Sequence, residues 1–215
     1  MSRELKQVEA ALAHDLNNYL QVIMGNLELL KRRQEYVPQI IEAALQATRR
    51  AAQLADRVAA VGRCSPPQPR QLDVNRLLTE LEPLIARTVG DRIRVQLSLA
   101  KGLPAARTDP HAVQVALVEL ATNARAAMPG GGRIAVSTAL APDGLVMIEF
   151  GDNGPGLPPE KAVQALEARE WSAGERPVGL GLPIVGACLR AAGGRVEIAA
   201  NGPGTRVSLY LPVAT

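Results

Sequence analysis

The first 62 residues carry apolar side chains at spacings of three and four, the pattern of amphipathic helices. One stripe consists of Leu5, Val8, Leu12, Leu16, Leu20, Ile23, Leu27 and Leu30. A second stripe, after a break that contains Pro38, consists of Ile41, Leu45, Thr48, Ala52, Ala55 and Val58. The pattern predicts a helical hairpin over residues 1–62. Two helices alone bury their stripes poorly, so we expect two copies to form a dimeric four-helix bundle about a two-fold axis.

A proline-rich segment follows this hairpin. Residues 63–72 include Pro66, Pro67 and Pro69, and they cannot continue a helix. We therefore expect an interdomain linker over 63–72 and a second domain over 73–215.

The second domain mixes helical and alternating patterns. Helices are predicted from the cap Asp73 to about Val89, from the cap Asp109 to Met128, and from about Leu182 to Ala192. Strands are predicted over 93–99, 134–139, 145–150, 195–200 and 206–211. Because strands and helices do not alternate strictly, the order favours an α+β sandwich over a parallel doubly wound fold.

Composition narrows the class of protein. A length of 215 residues allows one or two domains, and 47% hydrophobic residues argue against global disorder. Aromatic residues make up only 2%, which leaves little for a base-stacking platform. The net charge of +3 is spread over segments of mixed sign, so we expect no nucleic-acid partner.

The chain also lacks the sequence signs of a membrane or secreted protein. No apolar run reaches about 18 residues, and the N-terminus has no signal-peptide core. Cys64 and Cys188 lie far apart, which suits a reducing cytosol better than a disulfide framework. With only His14 and His111 to add, no zinc-binding spacing exists. We expect a soluble, cytoplasmic chain with no membrane segment.

Three clusters of polar residues and glycines stand out against these patterns. They are Ala-His-Asp-Leu-Asn-Asn at 13–18, Glu-Leu-Ala-Thr-Asn-Ala-Arg at 119–125, and Asp-Asn-Gly-Pro-Gly at 152–156 with Gly-Leu-Gly-Leu at 179–182. Taken singly, each has an ordinary interpretation: an exposed histidine, a solvated pair on a helix, and a common turn with a weak glycine pattern. Taken together, the order and spacing of the three clusters indicate a more specific function.

In this order the clusters resemble the core of a bacterial two-component sensor histidine kinase, and the resemblance covers nearly the whole chain. His14 and its neighbours match the H box, and residues 119–125 with 127–130 match the N box. The first glycine box is matched by Asp152, Gly154 and Gly156, and the second by Gly179 and Gly181. The resemblance implies a dimerisation and histidine-phosphotransfer domain over 1–62 and a Bergerat-type catalytic ATP-binding domain, an α/β sandwich, over 73–215.

The resemblance implies an activity as well. It makes the chain a protein-histidine kinase that phosphorylates His14 with ATP and passes the phosphoryl group to an aspartate of a response regulator receiver domain. Asp15 is implied to orient or deprotonate the imidazole, whose reference pKa of about 6.5 leaves neutral nucleophile at pH 7. Asn18 with Asp15 resembles a motif that positions water to hydrolyse phospho-aspartate, which adds a phosphatase activity.

The residues assigned to ATP have suitable chemistry. The Asn123 carbonyl is a hard ligand for Mg²⁺, and Glu119 one turn earlier is expected to hold a metal-bound water. The Asp152 carboxylate accepts from an adenine amino group and repels the carbonyl of guanine. Gly154 and Gly156 are expected to permit close approach of the base and positive φ. Gly179 and Gly181 precede a helix whose free N–H groups would face the phosphates.

Two departures from the family pattern leave alternatives open. The segment between the glycine boxes lacks the usual phenylalanines, and Trp171 is either the apolar anchor of the ATP lid or a surface residue. The competing function is a histidine phosphotransferase or scaffold whose ATP domain no longer catalyses. No sensor, membrane or receiver segment is recognised in the sequence, so we expect either a truncated core or a kinase that receives its signal from a separate sensor protein.

Overall fold

A computed structural model of the chain describes residues 16–30, 39–48, 51, 67–157, 181–199 and 204–214. Several of the assignments made from the sequence concern residues outside these ranges. His14, Asp15, Gly179 and Trp171 lie outside the described ranges, as does the linker up to residue 66. None of the helices in the described part of the chain is long and apolar enough to cross a membrane.

The N-terminal part is helical wherever it is described. Helix α1 is described over residues 16–30 and helix α2 over 39–48, as the spacing of apolar residues predicts. The buried side of α2, however, is not the predicted stripe. Ala44, Ala47 and Ala51 are buried, whereas Leu45 of the predicted stripe is 46% exposed. The buried face of α2 thus consists of small alanine side chains, and the larger Leu45 side chain remains exposed.

Helix α1 has an open apolar face. Leu20, Met24 and Leu27, which follow one another at spacings of four and three, are 44%, 61% and 53% exposed. This spacing places them on one side of the helix. A large apolar side chain gains about 1.5–3 kcal/mol when it is fully buried, so this face would be stabilised by a partner surface.

The remainder of the described chain is built from strands and helices. The strands are β1 (Arg70–Leu72), β2 (Ile93–Ser98), β3 (Ala106–Thr108), β4 (Gly132–Leu140), β5 (Val146–Asp152), β6 (Arg195–Ala199) and β7 (Arg206–Leu211). The helices are α3 (Val74–Val89), α4 (Pro110–Ala127) and α5 (Gly181–Ala191). Five strands form one sheet in the order β2-β4-β5-β7-β6, in which β2 and β4 are parallel and the other neighbours are antiparallel.

Side chains on the two faces of this sheet differ. In β5, Val146, Ile148 and Phe150 are buried, while Met147 and Glu149 between them are only partly buried. Alternate residues of β4 and β7 join the same core, together with the buried sides of α3, α4 and α5. Because successive strand residues point to opposite faces, the three described helices pack on one face of the sheet. The predicted α/β sandwich is confirmed.

The expected linker ends earlier than the pattern predicted. Arg70–Leu72 form β1, which pairs antiparallel with β3, and Leu72 lies opposite Ala106. Just before this strand, the Gln68 N–H donates to Asp109 Oδ2 at 3.0 Å. The sandwich therefore includes residues 68–72, which were assigned to the linker. A three-residue strand is too short to produce a readable alternation.

Both predicted caps are present. The Asp73 carboxylate accepts from the Arg76 N–H at 3.0 Å and begins α3. Asp109 caps α4 by accepting from the His111 N–H at 2.8 Å, and Pro110 occupies the first turn. A proline there lacks only an N–H that the helix would not use. Asp109 thus fixes the start of α4, the helix that carries Glu119 and Asn123.

Candidate functional site

Helix α4 places Glu119 and Asn123 one turn apart on one side. Glu119 is only 6% exposed, so its carboxyl group lies inside the protein rather than on a solvated surface. Asn123 is partly exposed. Neither atom of the Asn123 amide forms a hydrogen bond with another described residue. The amide oxygen is therefore available to a ligand.

The second glycine box lies directly against this amide. A Cβ added at Gly181 would lie 2.6 Å from Asn123 Nδ2 and 2.7 Å from Asn123 Oδ1. Real Cβ atoms do not approach polar atoms so closely, so a side chain at 181 would displace the amide. Gly181 begins α5, and the start of that helix thus meets the middle of α4. The fold brings together two motifs that are 58 positions apart in sequence.

Asp152 is the last residue of β5, and hydrogen bonds hold one oxygen of its carboxylate. Oδ1 accepts from the Gly154 N–H at 2.9 Å and from the Thr205 N–H at 3.3 Å. The Asp152 N–H in turn donates to the Thr205 carbonyl at 2.9 Å. Within the described residues Oδ2 has no hydrogen bond. The carboxylate is thus fixed in place with one acceptor oxygen left for a ligand.

The two glycines of the first box serve different purposes. Gly156 has φ +80°, a conformation that favours glycine. Gly154 does not have a positive φ. Gly154 is instead needed for space, because a Cβ would lie 2.9 Å from Asp152 Oδ1 and 3.2 Å from Met128 Cγ. The absence of a side chain at 154 thus leaves room for the side chains of Asp152 and Met128.

Met128 joins the end of α4 to this turn. It is buried and lies against both Gly154 and Gly132. A Cβ at Gly132 would overlap the Met128 Sδ atom and lie 2.7 Å from Asn153 Oδ1. Through Met128, the helix that carries Asn123 packs on the turn that carries Asp152. The N box and the first glycine box therefore form one packed unit.

Gly204 and Thr205 belong to this site, although no motif identified in the sequence includes them. Gly204 has φ +100°, and a Cβ there would overlap the Asp152 carbonyl oxygen. Thr205 bonds Asp152 through both its N–H and its carbonyl. These contacts join residues 53 positions apart, so no local spacing signals them. The Gly-Thr pair at the start of the last strand was the available sign.

The remaining assigned residues are not joined to this cluster by any described contact. Asn18 lies on an exposed part of α1. His14, Asp15 and Gly179 are outside the described residues. Within the described ranges, no group of three or more His, Cys, Asp or Glu side chains is placed to hold a metal ion. The assembled site thus consists of Glu119, Asn123 and Gly181 on one side and Asp152 with Gly154, Gly156, Gly204 and Thr205 on the other.

Comparison with protein families agrees with this arrangement. Residues 108–215 match the family model "Histidine kinase-, DNA gyrase B-, and HSP90-like ATPase". Residues 4–63 match the model "His Kinase A (phospho-acceptor) domain". The first match contains every residue of the assembled site, and the second contains His14.

Curated relatives align over most of this chain. It is 29% identical over 229 residues to the sensor kinase CckA of Brucella abortus, an alignment that covers 96% of this chain and 24% of CckA. It is 28% identical over 218 residues to the sensory histidine kinase/phosphatase NtrB of Salmonella typhimurium, covering 94% of this chain and 60% of NtrB. The chain therefore spans less than two thirds of the length of these relatives.

A solved structure shares the fold. The histidine kinase ThkA, in complex with the response regulator protein TrrA, superposes with a TM-score of 0.69 at 16% identity. The superposition covers 95% of this chain and 60% of that chain. At this identity the likeness establishes the arrangement of helices and strands, and it adds nothing about ligands.

Proposed function

Since this chain belongs to the histidine kinase-, DNA gyrase B-, and HSP90-like ATPase family, we propose that it is the core of a two-component histidine kinase. It phosphorylates His14 with ATP and transfers the phosphoryl group to an aspartate of a response regulator receiver domain. The observation that carries the proposal is the contact between Asn123 and Gly181, in a unit that also holds Asp152. That unit stands in one chain with a region that matches a phospho-acceptor domain.

The two activities divide between two domains. Residues 1–62 form the dimerisation and phosphotransfer domain, and the ATP-binding domain runs from Gln68 to the C-terminus. The early start of the second domain is supported by the pairing of β1 with β3 and by the bond from Gln68 to Asp109. The open face with Leu20, Met24 and Leu27 supports a homodimer through α1, because these side chains are exposed in the single chain.

Asp152 recognises the adenine base of ATP. Its Oδ1 is held by two backbone N–H groups, so Oδ2 is the atom that accepts from the exocyclic amino group. A guanine presents a carbonyl oxygen at the same place, and two acceptors repel each other. Adenine selection thus follows from fixing one carboxylate oxygen with the protein's own backbone.

Asn123 and Glu119 act at the phosphate end of the site. The Asn123 carbonyl suits Mg²⁺, which keeps several waters and takes few protein ligands beside substrate phosphates. When bound, this ion neutralises negative charge on the phosphates. Glu119, one turn earlier, orients a water beside the Asn123 oxygen. The free N–H groups at the start of α5, next to Gly181, favour negative charge and face the phosphate groups.

His14 is the nucleophile. A neutral imidazole nitrogen attacks the γ-phosphorus, so a phosphorus–nitrogen bond forms while the bond to the β,γ-bridging oxygen breaks and ADP leaves. Asp15 orients the ring or accepts its proton. In the second step an aspartate oxygen of the receiver domain attacks the same phosphorus, and His14 is released. Each step exchanges one bond at phosphorus for another.

Asn18 supports a second activity on the same helix. Asn18 follows His14 by four positions, the spacing of one helical turn, and we assign to its amide the orientation of a water against a docked phospho-aspartate. The relative NtrB is described as a kinase/phosphatase. Because the chain spans only part of its relatives, we place the sensory input in a further segment or a separate sensor protein. A cytoplasmic location stays a prediction from the sequence.

The test is phosphorylation of the purified chain with radiolabelled ATP and Mg²⁺. We expect acid-labile label in the wild type and none in His14→Gln, with ATP binding unchanged because nucleophile and nucleotide pocket lie in different domains. The chain has two histidines, so His111→Gln is the matched control and should be labelled normally. Label on His14→Gln would identify another acceptor. ATP binding without label in the wild type would favour a phosphotransferase or scaffold.

A further inference from the structure

Asn153, the residue after Asp152, binds one residue of the neighbouring strand twice. Its side-chain Oδ1 accepts from the Arg133 N–H at 2.7 Å, and its own N–H donates to the Arg133 carbonyl at 3.2 Å. Arg133 lies near the beginning of β4. The roles proposed above use Asp152 and the two glycines of this turn, and they leave Asn153 without one.

The register of the sheet explains what this double bond does. Ile134 lies opposite Asp152, so Arg133 lies opposite Asn153 in the same antiparallel ladder. In a regular ladder such a pair exchanges two bonds, each residue giving an N–H and a carbonyl. Here Asn153 gives its N–H in the regular way, but its side-chain oxygen takes the place of its own carbonyl. The ladder is completed while the backbone carbonyl of Asn153 is released from it.

Because the side-chain oxygen accepts in place of the backbone carbonyl, β5 ends here and the chain turns at Asn153. The turn brings the Gly154 N–H to Asp152 Oδ1 at 2.9 Å. Two glycines from neighbouring segments leave room for it. A Cβ at Gly132 would lie 2.7 Å from Asn153 Oδ1, and one at Gly204 would lie 3.2 Å from Asn153 Cα. The turn that fixes Asp152 is therefore held on both sides, and Asn153 supplies its bond to β4.

We propose that Asn153 is a positioning residue for adenine recognition, which acts through Asp152. The inference rests on the proposed function, since it assigns Asp152 to the base. The required property is an acceptor oxygen on a short side chain, which aspartate also has and leucine of similar size lacks. Loss of the bond leaves the Arg133 N–H at an exposed position, where water replaces the acceptor. The turn should loosen while the fold remains stable.

The experiment compares Asn153→Leu and Asn153→Asp in the full chain by calorimetric titration with ATP and by the ATP dependence of autophosphorylation. For Asn153→Leu we expect a Kd and KM for ATP about five- to tenfold higher, the equivalent of one hydrogen bond, with kcat at saturating ATP unchanged. Asn153→Asp should stay within about twofold of the wild type, since it keeps the acceptor. Arg133→Ala, which keeps the backbone N–H, is the matched control and should bind normally.

Hydrogen exchange of the Arg133 amide supplies a readout that needs no nucleotide. Exchange should speed up in Asn153→Leu and stay slow in Asn153→Asp. If the leucine variant unfolds, Asn153→Ala replaces it. Unchanged exchange or unchanged ATP affinity in the variant without an acceptor would overturn the inference, as would equal loss of affinity in Asn153→Asp. If the wild type bound no ATP while exchange of the Arg133 amide still differed between the wild type and Asn153→Leu, the proposed function would be refuted. The structural role of the bond would still stand.

Discussion

Gly181 lies so close to Asn123 that a Cβ at position 181 would sit 2.6 Å from the Asn123 Nδ2 atom. Gly181 is the first residue of α5, and Asn123 lies within α4. The pairing of the strands does not by itself bring these two helices together. Gly181 thus has a steric reason to be glycine: it leaves the volume that the Asn123 amide occupies. The position of the proposed Mg²⁺ ligand depends on this missing side chain.

We therefore expect Gly181→Ala to impair the nucleotide site without destabilising the fold. The atoms that an added Cβ would displace belong to the end of the Asn123 side chain and not to backbone, so the rest of the fold can stay in place. The displaced amide should lower the autophosphorylation rate by about 100-fold, the order expected for a shift of about 1 Å at a reacting site. The measurement is the rate of His14 labelling across a Mg²⁺ titration.

Gly25→Ala in α1 is the control for this change. Nothing lies within 4 Å of a Cβ at 25, and its φ is not positive. It should keep the wild-type rate and Mg²⁺ dependence. Equal rates for Gly181→Ala and the wild type would show that the amide moves aside at no cost.

Asp152→Asn should weaken ATP binding and relax the preference for adenine. The amide oxygen can still accept from Gly154 and Thr205, which leaves the NH₂ group in the place of Oδ2. A donor there repels the adenine amino group and suits the guanine carbonyl. The loss for ATP should be about 1.5–3 kcal/mol, the size of a hydrogen bond to a charged group. Titration with ATP and GTP measures both effects.

Asp143→Asn serves as the control, because Asp143 lies in the exposed turn between β4 and β5 and is bonded to Arg195. Its ATP affinity should match the wild type. An Asp152→Asn variant with unchanged affinity for both nucleotides would mean that this carboxylate only holds the turn.

Asn18→Ala should separate two activities of α1. The helix predicted from the sequence, at 3.6 residues per turn, would place position 18 about 6 Å beyond position 14 on nearly the same side, where an amide can orient a water. Autophosphorylation should stay normal, while dephosphorylation of a receiver's phospho-aspartate slows. The assay follows loss of label from a phosphorylated response regulator. Parallel loss of both activities would instead place Asn18 in the packing of the helix bundle.

Leu27→Glu should convert the dimer into monomers. Leu27 is 53% exposed in the single chain, and a charge at the centre of an apolar interface carries a desolvation penalty. Light scattering at micromolar concentration measures the mass. Leu140→Glu is the control, because Leu140 of β4 is 54% exposed and lies outside the hairpin. A wild type with the mass of a monomer would contradict the dimer itself.

Local signals predicted the helices of the sandwich well. The predicted starts of α3 and α4 agree with the structure because Asp73 and Asp109 cap them through bonds within three residues. The pairing of Glu119 with Asn123 on one side of α4 also follows from spacing alone. That Glu119 is buried does not, since burial depends on what packs against the helix.

Contacts across long sequence distances escaped prediction. Strand β1 forms only because β3 lies beside it, and neither has enough residues to show alternation. The bond from Thr205 to Asp152 spans 53 positions, and the contact of Gly181 with Asn123 requires two helices to meet. In each case the contact joins residues that only the folded chain brings together.

The bond from Gln68 to Asp109 joins the segment before β1 to the start of α4. Of residues 66–69, only Gln68 has a backbone N–H, because the other three are prolines. That N–H donates to Asp109, the residue that caps α4. From Gln68 onward the chain is therefore attached to the sandwich. Glycines inserted before residue 66 should leave the stability of the sandwich unchanged. The same insertion between Gln68 and Asp73 should destabilise β1 and the first turn of α4.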